Sequence, residues 1–417
     1  MTTVAVAPAA KTAQQAGSNR IVSIDIFRGL TMAVMIFVNE LADVHGLPQW
    51  TRHMPAKVDA MSYVDMVFPF FLFIVGLSLP LAVRHRLKKN PSIAALWLHI
   101  LLRSVSLIVL GLILANAELG DPARMGISHG AWALLALTGG VLFWNVYPGL
   151  ARNSAVVRGL RGAGLLLMIA MFAIFRRTVL GGPAGPGAHA AWIDFAYPEI
   201  LGLIGITYFA VAILYIPTRQ WLWAPLAWFV ALVTLNCLSI ADWISFPTDW
   251  SMYAWPFSNG AHAAITMAGV AVSAIFLGQH RWQAHRYKTL LAVLFGLACL
   301  TAGWFLTPLG ISKIRATPTW ALYSAGAATL IFALLHWVAD VRKQSAWAAF
   351  VRSAGSNTLM TYLLPDFYIF FITFTGFLYF ESHWSAGWPG VVKSVVFTGC
   401  ILFVSWVVTR LRVRMQL

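Results

Sequence analysis

The feature that most limits what this chain can become is the recurrence of apolar stretches of about 20 residues between short polar breaks. A helix rises 1.5 Å per residue, so each stretch crosses roughly the 30 Å of a bilayer's hydrocarbon. They lie near 27–44, 63–83, 94–117, 127–147, 158–175, 199–216, 221–240, 261–279, 288–306, 318–338, 355–379 and 389–409. Only 10% of residues are charged and 59% are hydrophobic, whereas a soluble domain carries about 25% charge. The expected fold is therefore all-α, a polytopic integral membrane protein of about 10–12 transmembrane helices.

The formal net charge is +15, and its distribution matters more than its size. Alternate breaks hold dense basic runs, such as Arg84, Arg86, Lys88 and Lys89, then Arg281, Arg286 and Lys288, then Arg410, Arg412 and Arg414. The intervening breaks hold scattered cations such as Arg52, Lys57 and Lys313. That asymmetry follows the positive-inside rule and predicts an even number of spans with both termini cytoplasmic. The basic excess reads as topology, so no nucleic-acid partner is expected. Residues 1–19 are Ala, Thr, Gln and Ser without an apolar core and read as a disordered tail, leaving residues 20–417 as a single transmembrane domain. The three cysteines, Cys237, Cys299 and Cys400, lie in separate apolar spans and give neither a disulfide framework nor metal-ligand spacing. No metal is expected.

Polar residues inside spans are costly, so each is a functional candidate set against a structural alternative. Asp25 and Arg28 are helix-face neighbours near the start of the first span, suited to an interfacial ion pair or a site. Asp65 follows Ser62 by three, a capping-box-like spacing that places an acid at a helix N-terminus. Asn39 closes the first span eleven residues after Arg28, three turns along one helix face and about 16 Å away. His53 sits in a loop broken by Gly46, Pro48 and Pro55. Imidazole is the natural proton acceptor at neutral pH, though a lone loop histidine is more often a surface residue. Arg103, one turn after His99 in the third span, is a candidate contact for a phosphate or carbonyl; the bland reading pairs it with a helix-end carbonyl. Lys313 suits steering of an acidic acceptor or plain solvation. Asp366 after Pro365 suggests a broken helix lining a cavity, with Asn357 and Tyr362 one or two turns earlier.

Several stretches carry a resemblance. SIDIFRGL, MIFVN, the loop histidine and YVDMVFPFFLFIVGLSLPLA resemble the start of the transmembrane N-acetyltransferase family of heparan-alpha-glucosaminide N-acetyltransferase. LLRSVSLIVLGLIL, ILGLIGITYF, PLGISKIRATPTWALYSAG and AGSNTLMTYLLPDF follow in the family's order. The resemblance implies a bacterial inner-membrane enzyme that takes acetyl from cytoplasmic acetyl-CoA and delivers it to the amine of a glucosamine-type sugar on the periplasmic side. It implies His53 and Asn39 as the catalytic residues. On that basis Arg28, Arg103 and His99 are expected at the acetyl-CoA end. Asp25, Asp65, Lys313, Asn357, Tyr362 and Asp366 are expected to line the substrate cavity. The chain departs from the family after the histidine, reading His53-Met54-Pro55-Ala56-Lys57-Val58, and in the sixth span, where Gly202-Leu203 replaces a Gln-Arg pair. A homodimer stays open. A polysaccharide O-acyltransferase is chemically adjacent. A secondary transporter belongs to a different class, against which stands the lack of paired half-sequence symmetry.

Overall fold

The structure is a computed structural model that describes residues 21–148, 150, 154–180, 188–246, 252–278, 280–377, 379 and 383–417. The expected N-terminal tail, residues 1–19, lies outside the described residues.

Helices form where the apolar stretches were read. In chain order they are α1 (Val22–Ala42), α2 (Val67–Lys89), α3 (Ile93–Asn116), α4 (His129–Trp144), α5 (Ala155–Ile174) and α6 (Glu199–Thr218). Then come α7 (Ala224–Ile240), α8 (Ala261–Leu277), α9 (His285–Phe305), α10 (Pro318–Leu335), α11 (Ala349–Ser356), α12 (Thr358–Thr375) and α13 (Gly387–Arg410). Among the described residues nine helices are long and apolar enough to cross a membrane. Met252–Ser258 and Ala261–Leu277, bent by 61°, make a tenth if the pair is counted as one span, and α4 and α7 are shorter apolar helices. All but the eight-residue α11 therefore correspond to the twelve apolar stretches.

Local chemistry starts several of them. Ser92, Ser128 and Ser154 each accept a hydrogen bond from the backbone N–H three residues on, relieving an unpaired donor of the first turn. Pro318 opens α10, where its missing N–H costs nothing.

The core is built from helices at close range. α2 packs against α8, and the contact is glycine on backbone from both sides. A Cβ on Gly76 would lie 1.8 Å from the Thr266 carbonyl oxygen, and one on Gly269 would lie 2.0 Å from that of Phe73. Without a hydrophobic drive between helices in lipid, such contacts are how van der Waals packing is gained. α3 packs on α6 in the same way: a Cβ on Gly111 would sit 2.1 Å from the Pro198 carbonyl oxygen. That contact seats the start of α6 deep in the bundle.

The chain alternates direction, so one end of the bundle holds the starts of α1 and α12 and the basic C-terminal turn of α2. Call this the basic end. Here the Asp340 carboxylate accepts from the Val22 and Ser23 amides at 2.9 and 3.0 Å. The opposite, loop end holds residues 43–63. It also holds a short hairpin, Arg177–Leu180 paired antiparallel with Ala188–Ala191.

One expectation is corrected. Pro365 does not break its helix, since α12 runs through it from Thr358 to Thr375. Pro removes one intrahelical bond, but packed neighbours in a bundle can satisfy the freed group. The interruption lies at Asn357, whose φ of −126° and ψ of 49° separate α11 from α12. Its amide donates to Thr409 Oγ1 at 3.1 Å and to the Val413 carbonyl at 2.9 Å.

Candidate active site

Three places in the bundle gather polar side chains. The first is the loop before α2. A 3-10 turn, Val64–Met66, opens the helix, and the Asp65 carboxylate reaches back to the Ser62 amide, one half of the capping box that their spacing suggests. The Val64 amide donates to Ser62 Oγ at 3.2 Å, and the Ser62 amide donates to Asp65 Oδ2 at 3.0 Å. The Met54 amide adds a third link, 3.3 Å from the same oxygen. The remaining carboxylate oxygen, Oδ1, lies 2.7 Å from His53 Nδ1. An ionised carboxylate only accepts, so Nδ1 carries the proton and Nε2 is the open, basic nitrogen. The Asp65 side chain is 1% exposed and that of His53 46%, so the acid is anchored while the imidazole reaches solvent.

Lys313 completes this cluster from the segment between α9 and α10. Its Nζ is 3.3 Å from Nε2 and 3.5 Å from Nδ1 of His53. Near-equal distances to both nitrogens put the ammonium beside the ring face, off the axis of the Nε2 lone pair. Burial lowers the proton affinity of Lys313, and the nearby Asp65 charge only partly opposes this. The segment is tied to the His53 loop by the ion pair of Arg315 with Asp59. The Arg315 hydrogen bond holds the Asp59 carboxyl below the usual carboxylate range, helped by the Ile311 amide.

The second place is a cavity of about 440 Å³ toward the basic end. Arg28, Arg86 and Arg103 line it with Ser78 and Tyr208. Arg28 is held by Asp25 at 3.4 Å, by the Gly355 carbonyl at 3.2 Å and by Ser78 Oγ at 3.0 Å. Arg103 lies over the Tyr208 ring, 5.1 Å from its centroid, which fixes a guanidinium inside an apolar wall.

The third is a cavity of about 390 Å³ toward the loop end, acidic where the other is basic. Asn39, Asp43, Glu118, Glu199 and Asp366 line it, between α1, α3, α6 and α12. Tyr362 belongs to both linings, and no other residue does. Its hydroxyl donates to the Glu199 carboxylate, 3.1 Å from Oε1 and 3.2 Å from Oε2. Arg28 and Asn39, read as one face of one helix, line one cavity each.

The sequence candidates thus fall into separate surroundings. His53, Asp65 and Lys313 come together, but none lines either cavity. Asn39 lies on the acidic cavity with Asp366, and among the described hydrogen bonds none joins it to His53, whose side-chain partner is Asp65. Arg28 and Arg103 lie on the basic cavity, while His99, in the same helix, is not among its lining residues. Asp25 and Asn357 line neither cavity and serve as the ion-pair partner and the helix tie described above. Glu199, Glu118 and Tyr208 were not singled out from the sequence, and Arg86 was read only as part of a basic run. The signal available was a lone acid after Pro198 at the head of an apolar run. Among the described residues no group of His, Cys, Asp and Glu is arranged to hold a metal ion.

Residues 20–120 match the family described as "Heparan-alpha-glucosaminide N-acetyltransferase, catalytic". The family resemblance is borne out over this stretch. Heparan-alpha-glucosaminide N-acetyltransferase of Mus musculus is 32% identical over 148 residues, which is 32% of this chain and 21% of that protein. The Homo sapiens protein of the same name is 34% identical over 97 residues, 23% of this chain and 14% of its own length. This chain therefore matches only about a fifth or less of the length of these relatives. The stretch matching the N-acetyltransferase family contains Arg28, Asn39, His53, Asp65, Arg103 and Glu118. Glu199, Lys313, Tyr362 and Asp366 lie beyond it.

Proposed function

We propose that this chain is an acetyl-CoA-dependent transmembrane N-acetyltransferase of a bacterial inner membrane. It takes acetyl from acetyl-CoA at the cytoplasmic, basic end and delivers it to the amine of a glucosamine-type sugar at the periplasmic, loop end. The observation that carries this reading is a pair of cavities, one lined by arginines and one by carboxyl groups, that share Tyr362. An anionic donor is drawn to the arginine-lined cavity and a cationic amine to the acidic one. The acidic lining favours an amine over a hydroxyl acceptor, and so an N- over an O-acyltransferase. The family match of residues 20–120 supports the same chemistry.

In this reading the acetyl-bearing arm enters the cavity lined by Arg28, Arg86 and Arg103 and points its thioester toward Tyr362. His53, oriented by Asp65 and outside the acidic cavity's lining, takes a proton from the acceptor's ammonium at the loop end before the amine enters that cavity, leaving a nucleophilic amine. Asn39 donates to the thioester oxygen as negative charge develops there. Lys313 steers an anionic group of the acceptor toward the loop.

The test uses purified protein in detergent with acetyl-CoA and glucosamine, following release of the CoA thiol. Acetyl-CoA alone is expected to raise the melting temperature, because a ligand that binds only the folded state stabilises it. His53→Ala is expected to lower turnover by about 10²–10⁴-fold while keeping that thermal shift. Folded protein that shows neither a thermal shift nor thiol release at millimolar acetyl-CoA overturns the reading in favour of a transporter.

A further inference from the structure

We propose that Glu199 and Tyr362 form a proton relay between the attacking nitrogen and the departing sulfur; the inference rests on the acetyl-transfer reading above. Four observations converge on this pair. Tyr362 is the one residue shared by the two linings, so it stands where donor and acceptor would meet. The residue is 9% exposed, and its hydroxyl is spent on the Glu199 carboxylate and on nothing else that is described. Glu199 lines the acidic cavity, so its carboxylate borders the acceptor side as well as the tyrosine. Finally, Glu199 has a φ of +56°, a left-handed conformation uncommon outside glycine. Such backbone is retained where the surroundings demand it, and it clusters at active sites. Here the Leu201 amide, 2.9 Å from Oε2, and the Gly111 contact on Pro198 hold the carboxylate in place.

The relay solves a specific problem of this reaction. An ammonium and a thioester give an amide, a thiol and one free proton. The free proton leaves first, through His53 at the solvent-facing end. The neutral amine then attacks the thioester carbon, forming the C–N bond while the carbonyl electrons move to oxygen. When the carbonyl re-forms, the C–S bond breaks and its electron pair goes to sulfur. The nitrogen, now positively charged, must lose a second proton, and the sulfur must gain one. Leaving both charged inside a low-dielectric bundle is costly. Glu199 accepts the nitrogen's proton, Tyr362 gives its hydroxyl proton to sulfur, and the proton on Glu199 returns to the tyrosine oxygen. Both side chains end as they began.

The test is a double-mutant cycle on the full chain in detergent, read by CoA-thiol release with glucosamine. Tyr362→Phe and Glu199→Gln are each expected to lower turnover about 100-fold or more, with the acetyl-CoA thermal shift unchanged. The double variant is expected to fall no further than the lower single variant, because a relay broken once is fully broken. Two merely structural residues would instead give multiplying losses. An active wild type alongside either single variant above a tenth of its rate overturns the relay alone. So does a double variant whose loss is the product of the two singles. A wild type that releases no thiol overturns acetyl transfer and the relay together. Should Glu199→Gln fail to fold, Tyr362→Phe, which removes one oxygen from an otherwise unchanged ring, decides the matter by its rate.

Discussion

Replacing Asp65 by Asn changes one atom and is expected to invert the chemistry of His53. In the native loop Oδ2 receives the Ser62 and Met54 amides at 3.0 and 3.3 Å, and Oδ1 faces His53 Nδ1 at 2.7 Å. An asparagine keeps a single acceptor, and the two backbone donors claim it. The side-chain NH₂ then points at Nδ1, and since it can only donate, Nδ1 must become the acceptor. The imidazole proton moves to Nε2, which is no longer a base. Losing a positioned base costs about 10²–10⁴-fold, or about 2.7–5.4 kcal/mol of barrier. Charge-assisted bonds become neutral ones, so stability is expected to fall by about 1–2 kcal/mol. That loss is too small to unfold the protein, so rate and stability separate in the data. The assay is initial-rate thiol release at saturating acetyl-CoA, with melting temperature measured on the same preparation. A folded, acetyl-CoA-responsive Asp65→Asn protein working above a tenth of the wild-type rate would refute the argument. It would show that the dyad is a loop anchor.

Further outcomes follow from the same geometry. Gly111→Ala places a methyl 2.1 Å from the Pro198 carbonyl oxygen and must push the start of α6 outward. Turnover is expected to fall at least about tenfold with a lowered melting temperature, since misplaced reacting groups are costly; an unchanged rate would mean that Glu199 position is immaterial. A cysteine at Trp243, which is 80% exposed at the loop end, should react with an impermeant maleimide in intact cells, and one at the exposed Gln283 should not. The reverse pattern would reverse the direction of delivery. Burial lowers the proton affinity of Lys313 in the folded state, so between that lowered value and about 10.4 the unfolded chain binds more protons and stability rises with pH. Lys313→Met is therefore expected to melt higher than wild type at neutral pH, with the gap closing above about pH 10; a pH-independent gap would count against charge burial.

Hydropathy alone located the helices, because length and apolarity are all a bilayer demands of a span. What a side chain faces is another matter. Ser62 and Asp65 were legible as a cap since the motif is local, whereas the partner of the second carboxylate oxygen, His53, approaches through loop geometry. Arg28 and Asn39 were legible as one helix face, but the cavity each would line depended on α3, α6 and α12. Asp366 was legible as an intramembrane acid, and Tyr362 as its neighbour one turn away. Glu199 and Glu118 stand at helix ends, where an acid is ordinarily a solvated cap, so the lone acid after Pro198 was a weak mark for Glu199 and nothing local marked Glu118. Pro365 was read as an interruption on a rule that holds for exposed helices and relaxes inside a packed bundle. The true break at Asn357 carries no proline.

That break has a consequence for how the cavities are kept apart. α11 lies against α1 through two glycines: a Cβ on Gly355 would stand 2.0 Å from the Asp25 carbonyl oxygen, and one on Gly29 would stand 2.3 Å from that of Val351. The chain can then turn at Asn357 and send α12 inward, with Tyr362 reaching Glu199. Arg28 is on this same interface, bonded to the Gly355 carbonyl. One helix, α1, therefore carries Arg28 on the arginine-lined cavity and Asn39 on the acidic one. Their separation is eleven residues of helix, about 16 Å, and cannot vary without bending α1. In the proposed reaction, that helix sets how far a donor held at the arginines reaches toward Tyr362. In the proposed reaction, the difference in lining between the two cavities and the tyrosine they share make Tyr362 the place where the acyl group changes hands.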